Sequence, residues 1–98
     1  MPALDSIIHQ PVRLQIMAAL TALPEDTQLE FVTLRKMLDL TDGNLSVHLR
    51  KLEDAGYVQV EKVFVGRKPR TYIAATPAGR KAFAEHVQAL QSIINPSS

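Results

Sequence analysis

Residues 40–58 read LTDGNLSVHLRKLEDAGYV, and the spacing of their leucines predicts an amphipathic helix. Leu45, Leu49 and Leu52 recur at intervals of four and three residues, so they share one narrow stripe of an α-helix that turns about 100° per residue. That stripe must face a core, because no other arrangement hides three leucines from water. We predict a helix over residues 42–55 with its opposite side exposed.

Both ends of this predicted helix carry residues that are typical of helix ends. Thr41 and Asp42 are each able to cap the first turn with a side-chain oxygen. Gly56 follows the last predicted turn, at the position where glycine commonly ends a helix. The turn before the helix directs its first N–H groups outward, which favours a phosphate at this end.

The exposed side of the predicted helix combines small, polar and cationic residues. It presents, in chain order, Gly43, Asn44, Ser46, Val47, Arg50, Lys51 and Asp54. Small residues permit close approach to the floor of a DNA groove, amide and hydroxyl groups bond base edges or phosphates, and a valine can meet a thymine methyl group. Any exposed helix face needs polar residues, but solvation alone explains this particular set poorly. His48 lies at the border of the leucine stripe, where a structural role and a DNA contact are equally open.

Shorter patterns predict two further helices upstream. Helical spacing of apolar residues indicates a first helix over residues 11–23, with a proline in its first turn. Residues 31–32 are expected to form a short strand. Thr33 is then expected to cap a short helix over residues 34–38. That helix should bury Leu34, Met37 and Leu38.

A β-hairpin with a basic tip is predicted directly after the helix of residues 42–55. Residues 57–65 are rich in β-branched and aromatic side chains and read as a strand, residues 66–69 as a turn, and residues 70–74 as the returning strand. The tip carries three cations, Arg67, Lys68 and Arg70. A solvated loop tolerates such a cluster, but a hairpin in this position can also reach a minor groove or a sugar-phosphate backbone, and arginine suits a narrow minor groove.

The last predicted helix, residues 76–94, begins at Thr76-Pro77 and carries a broad apolar face. Its seam follows the spacing i, i+4, i+7, i+11 and consists of Phe83, Val87, Leu90 and Ile94, with Ile93 widening it. Packing against its own domain would explain the face in part. Because the other elements of so short a chain already compete for one core, we favour a dimer interface.

Length and composition exclude several classes of protein. With 98 residues, of which 46% are hydrophobic, we expect one domain, residues 1–98, with a genuine core. The absence of cysteine excludes disulfides and thiolate metal sites. We find no signal peptide, membrane-length apolar stretch, phosphate-binding loop or nucleophile motif, so we expect a cytoplasmic protein without cofactor, metal or enzymatic activity. The three histidines, His9, His48 and His86, fall on separate predicted elements.

The net charge of +1 hides an uneven distribution along the chain. Residues 1–43 carry three basic and six acidic groups, which gives −3, and residues 44–70 carry six basic and three acidic groups, which gives +3. A basic middle predicts a face for a polyanion such as nucleic acid. A solvated surface of mixed charge explains the charges alone equally well.

The segment 40–58 resembles the recognition segment of winged helix-turn-helix regulators of the ArsR/MarR type. It is most similar to small stand-alone winged-helix proteins with the pattern TDGNLSxHLxKLExAGY. Residues 8–16 and 66–71, followed by residues 76–80, resemble the first helix, the wing and the start of the last helix of this family. The match covers nearly the whole chain in the right order. It implies a mainly α fold with a small β-hairpin wing, and a long C-terminal helix for dimerisation.

The resemblance also implies a homodimer that binds double-stranded DNA, with recognition helices in successive major grooves and wings at minor grooves. The predicted DNA contacts are Thr41, Gly43, Asn44, Ser46, Val47, His48, Arg50, Lys51, Arg67, Lys68 and Arg70. Metal-responsive relatives often use a cysteine motif that is missing here, so a small-molecule effector is possible but unidentified. The competing hypothesis is a winged helix that serves as a protein–protein adaptor without sequence-specific DNA binding. The basic tip argues against that alternative, and the low net charge leaves it open.

Overall fold

Within residues 4–96, which are the residues that the structure describes, the chain forms four helices and three strands. The structure is a computed structural model. Its elements are, in chain order, α1 (Pro11–Thr21), β1 (Leu29–Glu30), α2 (Phe31–Met37), α3 (Asp42–Asp54), β2 (Val58–Val65), β3 (Lys68–Ala75) and α4 (Pro77–Ile94). The predicted fold class, mainly α with a small β-hairpin wing, is confirmed. The bounds of α3 and α4 lie within one residue of those predicted.

The core lies between the first three helices and the inner half of the hairpin. Its fully or almost fully buried side chains are Ile8, Ile16, Met17, Leu20, Leu34, Leu45, Leu49, Leu52, Val58 and Ile73. The leucine stripe of α3 is therefore buried, as predicted. The predicted caps of α3 are present as well, because the Thr41 hydroxyl accepts a hydrogen bond from the Asn44 N–H at 3.1 Å and Gly56 adopts a φ of +80°.

The start of α2 differs from the prediction. The short strand is β1, and the predicted strand residues, Phe31 and Val32, instead form the first turn of α2. The N-cap is Glu30, which makes no side-chain capping bond, so Thr33 is not the cap. Because the helix begins three residues earlier than expected, its buried side contains Leu34 and the half-buried Phe31 and Leu38. Met37 is 57% exposed, and its predicted burial is wrong.

A tight turn joins α2 to α3. Asp39 takes a φ of +53°, a left-handed conformation that aspartate tolerates better than most residues. The Leu40 N–H donates to the Arg35 carbonyl at 3.0 Å. The Arg35 Nε lies 2.9 Å from the Asp42 Oδ1, but its N–H makes no aligned hydrogen bond, so the contact is electrostatic. These contacts fix the first turn of α3 against the last turn of α2.

The sheet has the order β1-β3-β2 and is antiparallel throughout. The turn between β2 and β3 has two residues, because Val65 pairs with Lys68, whereas the prediction placed a turn over residues 66–69. Gly66 has a φ of +67° and stands first in the turn, where a two-residue hairpin often requires glycine. Pro69 is tolerated within β3 because β1 reaches only as far as Tyr72.

The beginning of α4 is docked directly on the residues that end α3. The Thr76 N–H donates to the Tyr57 carbonyl at 3.0 Å, and the Thr76 hydroxyl donates to the Gly56 carbonyl at 2.6 Å. The approach is close enough that a Cβ built on Gly79 would lie 2.0 Å from the Tyr57 carbonyl oxygen. Glycine is therefore required at residue 79 for the two helices to meet.

A partly buried polar cluster ties the segment before α1 to α4 and to the end of α3. The Asp5 N–H donates to His86 Nδ1 at 3.0 Å, and the Tyr57 hydroxyl donates to Asp5 Oδ2 at 2.5 Å. His86 is fully buried, and its Nε2 has no hydrogen-bond partner among residues 4–96. The ring of His9 packs edge-on against it, with the centroids 5.5 Å apart. His9 and His86 thus meet within one chain, although they belong to separate predicted elements.

The environment of this cluster changes the proton affinity of its members. Burial, followed by the nearby charge of His9, lowers the pKa of His86, which keeps the imidazole neutral. The bond to Asp5 is the main reason that the pKa of Tyr57 rises to about 12. Burial by itself would raise the pKa of Asp5, but the bonds from the Tyr57 hydroxyl and from the N–H groups of Ile7 and Ile8 outweigh it and lower the pKa.

Candidate nucleic-acid interface

The outer face of α3 is exposed along its whole length, as the leucine stripe predicts. Seven of the DNA contacts predicted at or near this helix are exposed: Thr41, Gly43, Asn44, Ser46, Val47, Arg50 and Lys51. A Cβ built on Gly43 would meet nothing within 4 Å, so this end of the helix is open to close approach. These side chains can contact a large polar partner without any change in the core.

His48 is the one predicted contact on α3 that is half-buried. The Arg13 Nη1 approaches its Nδ1 at 3.4 Å, and the Arg13 Nε donates to the Ile7 carbonyl. Because an arginine donates and cannot accept, the Nδ1 accepts and the ring proton lies on Nε2. Burial, and then the charge of Arg13, lowers the pKa of His48, so its imidazole is neutral. The contact with α1 favours a structural role.

The hairpin tip presents two of the three predicted cations. Arg67 stands in the turn, Lys68 begins β3, and both are exposed. Arg70, in contrast, lies within β3, is half-buried and donates from Nη1 to the Glu30 Oε1 at 2.8 Å. Its placement in the returning strand agrees with the prediction, but Arg70 is not one of the free cations expected at the tip. Its partner comes from the end of β1, and the ion pair holds the middle of the hairpin to the rest of the sheet.

A groove lies between α3 and the hairpin. Because both elements line it, they are on the same side of the protein. It has a volume of about 410 Å³. Its lining residues are Phe31 from α2, Ser46, Leu49, Arg50 and Glu53 from α3, and Val60 and Thr71 from the hairpin. The Glu53 carboxylate accepts a hydrogen bond from the Val60 N–H at 3.2 Å, which joins the two walls. The helix and the wing therefore form one continuous surface.

The cations of this surface are available to a partner. Among residues 4–96, the ion pairs are those of Arg35 with Asp42 and of Arg70 with Glu30. The exposed cations of α3 and of the hairpin form neither of these pairs; they are Arg50, Lys51, Lys62, Arg67 and Lys68. Unpaired cations on both the helix and the wing suit a partner with regularly spaced negative charge.

The predicted dimer residues of α4 differ in how far their own chain buries them. Phe83 packs against the core of its own chain, and Val87 and Leu90 are half-buried. Ile93 and Ile94 are exposed, and Ile94 has 80% of its surface free. The last turn of α4 thus presents two adjacent isoleucines that no other part of residues 4–96 covers.

Sequence reasoning missed two features of this surface. The first is Glu30, which holds Arg70 and is separated from it by 40 residues. The second is Phe64 in β2, which is 76% exposed. Val58, Val60, Lys62 and Phe64 alternate along one face of the strand. That alternation is a signal that the inward face of the hairpin continues beyond the core.

Two further observations concern the described residues as a whole. None of the helices within residues 4–96 is long and apolar enough to cross a membrane. The same residues contain no group of three or more histidine, aspartate or glutamate side chains placed to hold a metal ion.

Comparison with known proteins gives agreeing results. A family model described as a winged helix DNA-binding domain matches residues 12–94. An uncharacterised protein of Methanocaldococcus jannaschii is 40% identical over 81 residues, which are 83% of this chain and 85% of that protein. A transcriptional regulator homologue from Pyrococcus horikoshii OT3 has a solved structure with a TM-score of 0.85 and 36% identity, covering 94% of this chain and 88% of that chain.

A MarR-family transcriptional regulator from Silicibacter pomeroyi shares the fold, with a TM-score of 0.57 and 23% identity over 97% of this chain and 60% of that chain. The predicted resemblance to winged-helix transcriptional regulators is confirmed. So is the expectation that the chain is not an enzyme, because its family and structural neighbours are transcriptional regulators. Because the family model matches residues 12–94, which include α3 and the hairpin, this chain belongs to the family of winged helix DNA-binding domains.

Proposed function

We propose that this protein is a homodimeric transcriptional regulator that binds double-stranded DNA with sequence preference. The observation that carries the proposal is the continuous surface formed by the outer face of α3 and the hairpin, which holds five exposed cations without an ion pair within residues 4–96. In the proposed complex α3 enters the major groove and the hairpin tip contacts the minor groove or the backbone. The whole chain acts as one winged-helix unit.

The residues of α3 divide by the kind of contact that their chemistry allows. Asn44 and Ser46 are short and exposed at the N-terminal end, where they can bond base edges, and Val47 can meet a thymine methyl group. Arg50 and Lys51 lie one turn later and suit phosphates or guanine. Contacts to base edges carry the sequence preference, whereas contacts to phosphates carry most of the affinity.

The wing contributes through Arg67 and Lys68 at the tip. Both are exposed and form no ion pair within residues 4–96, so they can bind a phosphate without breaking an ion pair in the protein. Arg70 has a different role in this proposal. Its bond to Glu30 makes it a positioning residue that holds the wing in place.

The experiment that tests DNA binding is fluorescence anisotropy with duplex DNA from upstream of the protein's own gene, measured over a series of salt concentrations. We expect a steep loss of affinity with salt, with a slope of about −0.9 per phosphate neutralised. Lys68→Ala should weaken binding to all sequences alike and make the slope shallower by about one phosphate. Asn44→Ala should instead alter discrimination among sequences.

Lys81→Ala is the matched control, because Lys81 is an exposed lysine on α4. It should bind DNA as the unaltered protein does. If the protein binds no duplex at low salt, or if Asn44→Ala and Arg50→Ala both keep the original sequence preference, the base-reading role of α3 is wrong. Binding to a protein partner in the absence of DNA binding would favour the adaptor alternative.

The dimer is proposed to form through the last turns of α4. Leu90, Ile93 and Ile94 provide apolar surface there. Dimeric helix-turn-helix proteins bind half-sites about one turn of DNA apart, near 34–36 Å, and the proposed dimer would need to match that spacing. Ile94→Asp should shift sedimentation towards the monomer and weaken DNA binding. Leu90→Asp should do the same, but Leu90 is half-buried, so the replacement of the exposed Ile94 is the one expected to leave the fold intact. A dimeric Ile94→Asp protein with normal DNA binding would show that the interface lies elsewhere.

A further inference from the structure

One apolar side chain on the wing has no partner in the core. Phe64 is 76% exposed, the largest exposed fraction for an aromatic residue in the part of the chain that the structure describes. It lies in β2 opposite Pro69, and one residue pair, Val65 with Lys68, separates it from the Gly66-Arg67 turn. Exposing a phenylalanine costs free energy in water, so its place on a functional surface needs an explanation.

The register of the hairpin fixes which way this side chain faces. Paired residues of antiparallel strands share a face, and faces alternate along each strand. Val60 and Ile73 form a pair on the inner face, where Ile73 is buried and Val60 lines the groove beside α3. The next two pairs on that face, towards the tip, are Lys62 with Thr71 and then Phe64 with Pro69. Phe64 and Pro69 do not line the groove and lie beyond it. Phe64 therefore projects from the face of the wing that also borders the groove beside α3, nearer the tip.

The charges around Phe64 indicate the partner. Lys62 is on the same face two residues earlier, and Arg67 and Lys68 follow at the tip. Two such wings would repel each other, which argues against a contact between copies of this chain through Phe64. An apolar ring framed by cations fits a polyanion that also offers apolar surface, and the minor groove of DNA has both, in its phosphates and in its sugars and base steps.

The hairpin is also a rigid support for such a contact. β2 and β3 pair at all eight positions, the turn is the shortest that a hairpin uses, and Pro69 stiffens the strand opposite Phe64. Little conformational freedom would be lost on binding, so most of the apolar contact would contribute to affinity.

We propose that Phe64 is an apolar DNA contact of the wing, which enters the minor groove and lies against a deformable base step. Pyrimidine–purine steps such as TA and CA unstack most easily, so the wing prefers them without any hydrogen bond to a base. The inference rests on the proposed DNA-binding function and adds a second source of sequence preference, separate from α3.

The test selects bound duplexes from a randomised DNA library with the unaltered protein, with Phe64→Ala and with Val65→Ala. Val65 is the matched control, because it is a neighbouring apolar residue, 53% exposed, on the opposite face of the strand. We expect the unaltered protein and Val65→Ala to select the same half-sites with TA or CA steps enriched at a fixed distance on the wing side. Phe64→Ala should select the same half-sites without that enrichment.

A salt series on the selected duplex separates the apolar contact from the electrostatic ones. Phe64→Ala should lower affinity about tenfold with no change in the salt slope, since no phosphate contact is lost, whereas Lys68→Ala should change the slope. Circular dichroism and light scattering establish that each variant is folded and of unchanged size. Phe64→Leu, which keeps an apolar side chain, should retain part of the step preference and serves if the alanine variant unfolds.

The outcomes distinguish this inference from the function on which it rests. If the unaltered protein selects no half-site, the proposed function fails. If it does select one and Phe64→Ala keeps both the step enrichment and the affinity, only the role of Phe64 is wrong. A Phe64→Ala protein that changes its oligomeric state while binding DNA normally would also overturn the inference and place Phe64 in a protein interface.

Discussion

Replacing Gly79 with alanine should destabilise the protein far more than its position near the start of a helix indicates. A Cβ at residue 79 would lie 2.0 Å from the carbonyl oxygen and 2.8 Å from the carbonyl carbon of Tyr57. Because real Cβ contacts stay above 3.0 Å, α4 and the Tyr57 backbone would have to separate by about 1 Å. That movement would also stretch the bond from the Thr76 N–H to the Tyr57 carbonyl.

The magnitude follows from these two losses. Overpacking against rigid backbone costs about 1–3 kcal/mol, and weakening one backbone hydrogen bond costs about 1 kcal/mol. Alanine gains at most about 1 kcal/mol over glycine in helix propensity. The free energy of unfolding should therefore fall by about 1–3 kcal/mol, which in a domain of this size lowers the Tm by about 5–20 °C.

Gly43→Ala provides the matched control for this measurement. Gly43 is also in the first turn of a helix, α3, but a Cβ there would meet nothing within 4 Å, so the same substitution should raise the stability slightly. Urea unfolding followed by circular dichroism, at one protein concentration for all variants, measures both. If Gly79→Ala proves as stable as Gly43→Ala, the close docking of α4 on Tyr57 is incorrect.

Two further predictions concern the pKa values of His86 and His48 and the ion pair of the wing. Because burial lowers the pKa of both His86 and His48, the unfolded chain binds protons at a higher pH than the folded chain, so the free energy of unfolding should fall as the pH drops below 6.5. His86→Gln should reduce this pH dependence in urea titrations from about pH 7.5 to 5, and an unchanged profile would show that His86 is not the group responsible. On the wing, Arg70→Gln and Glu30→Gln should weaken DNA binding alike if Arg70 acts through Glu30. Tighter binding by Glu30→Gln together with a shallower salt slope for Arg70→Gln would instead show that Arg70 contacts a phosphate directly.

The features that sequence predicted well are those fixed by local interactions. The helix of residues 42–55 was predictable because three leucines define its buried side and because Thr41 and Gly56 mark its ends. The same holds for the start of α4 at Thr76, whose hydroxyl caps the first turn. In both cases the signal and the structure lie within a few residues of each other.

The features that sequence did not predict depend on distant partners. The start of α2 was misplaced because its N-cap, Glu30, makes no capping bond and is instead held as part of β1 by pairing with Tyr72. Arg70 looked like one of three cations at the hairpin tip, but its bond to Glu30 and its partial burial separate it from the exposed Lys68. No pattern within the hairpin itself distinguishes an arginine that is paired across the sheet from one that is free.

Tyr57 joins the three parts of the molecule that the proposed function requires to move together. Its carbonyl accepts from Thr76 at the start of α4, it follows the glycine that ends α3, and its hydroxyl donates to Asp5, whose own N–H donates to His86 in the middle of α4. α3 therefore cannot rotate relative to α4 without breaking at least one of these bonds. If two copies associate through α4, the separation and tilt of their two α3 helices are set by this rigid connection, because the path from the dimer contact to the DNA contact contains no flexible linker. A dimer of this kind would discriminate strongly between operators whose half-sites are spaced by different numbers of base pairs.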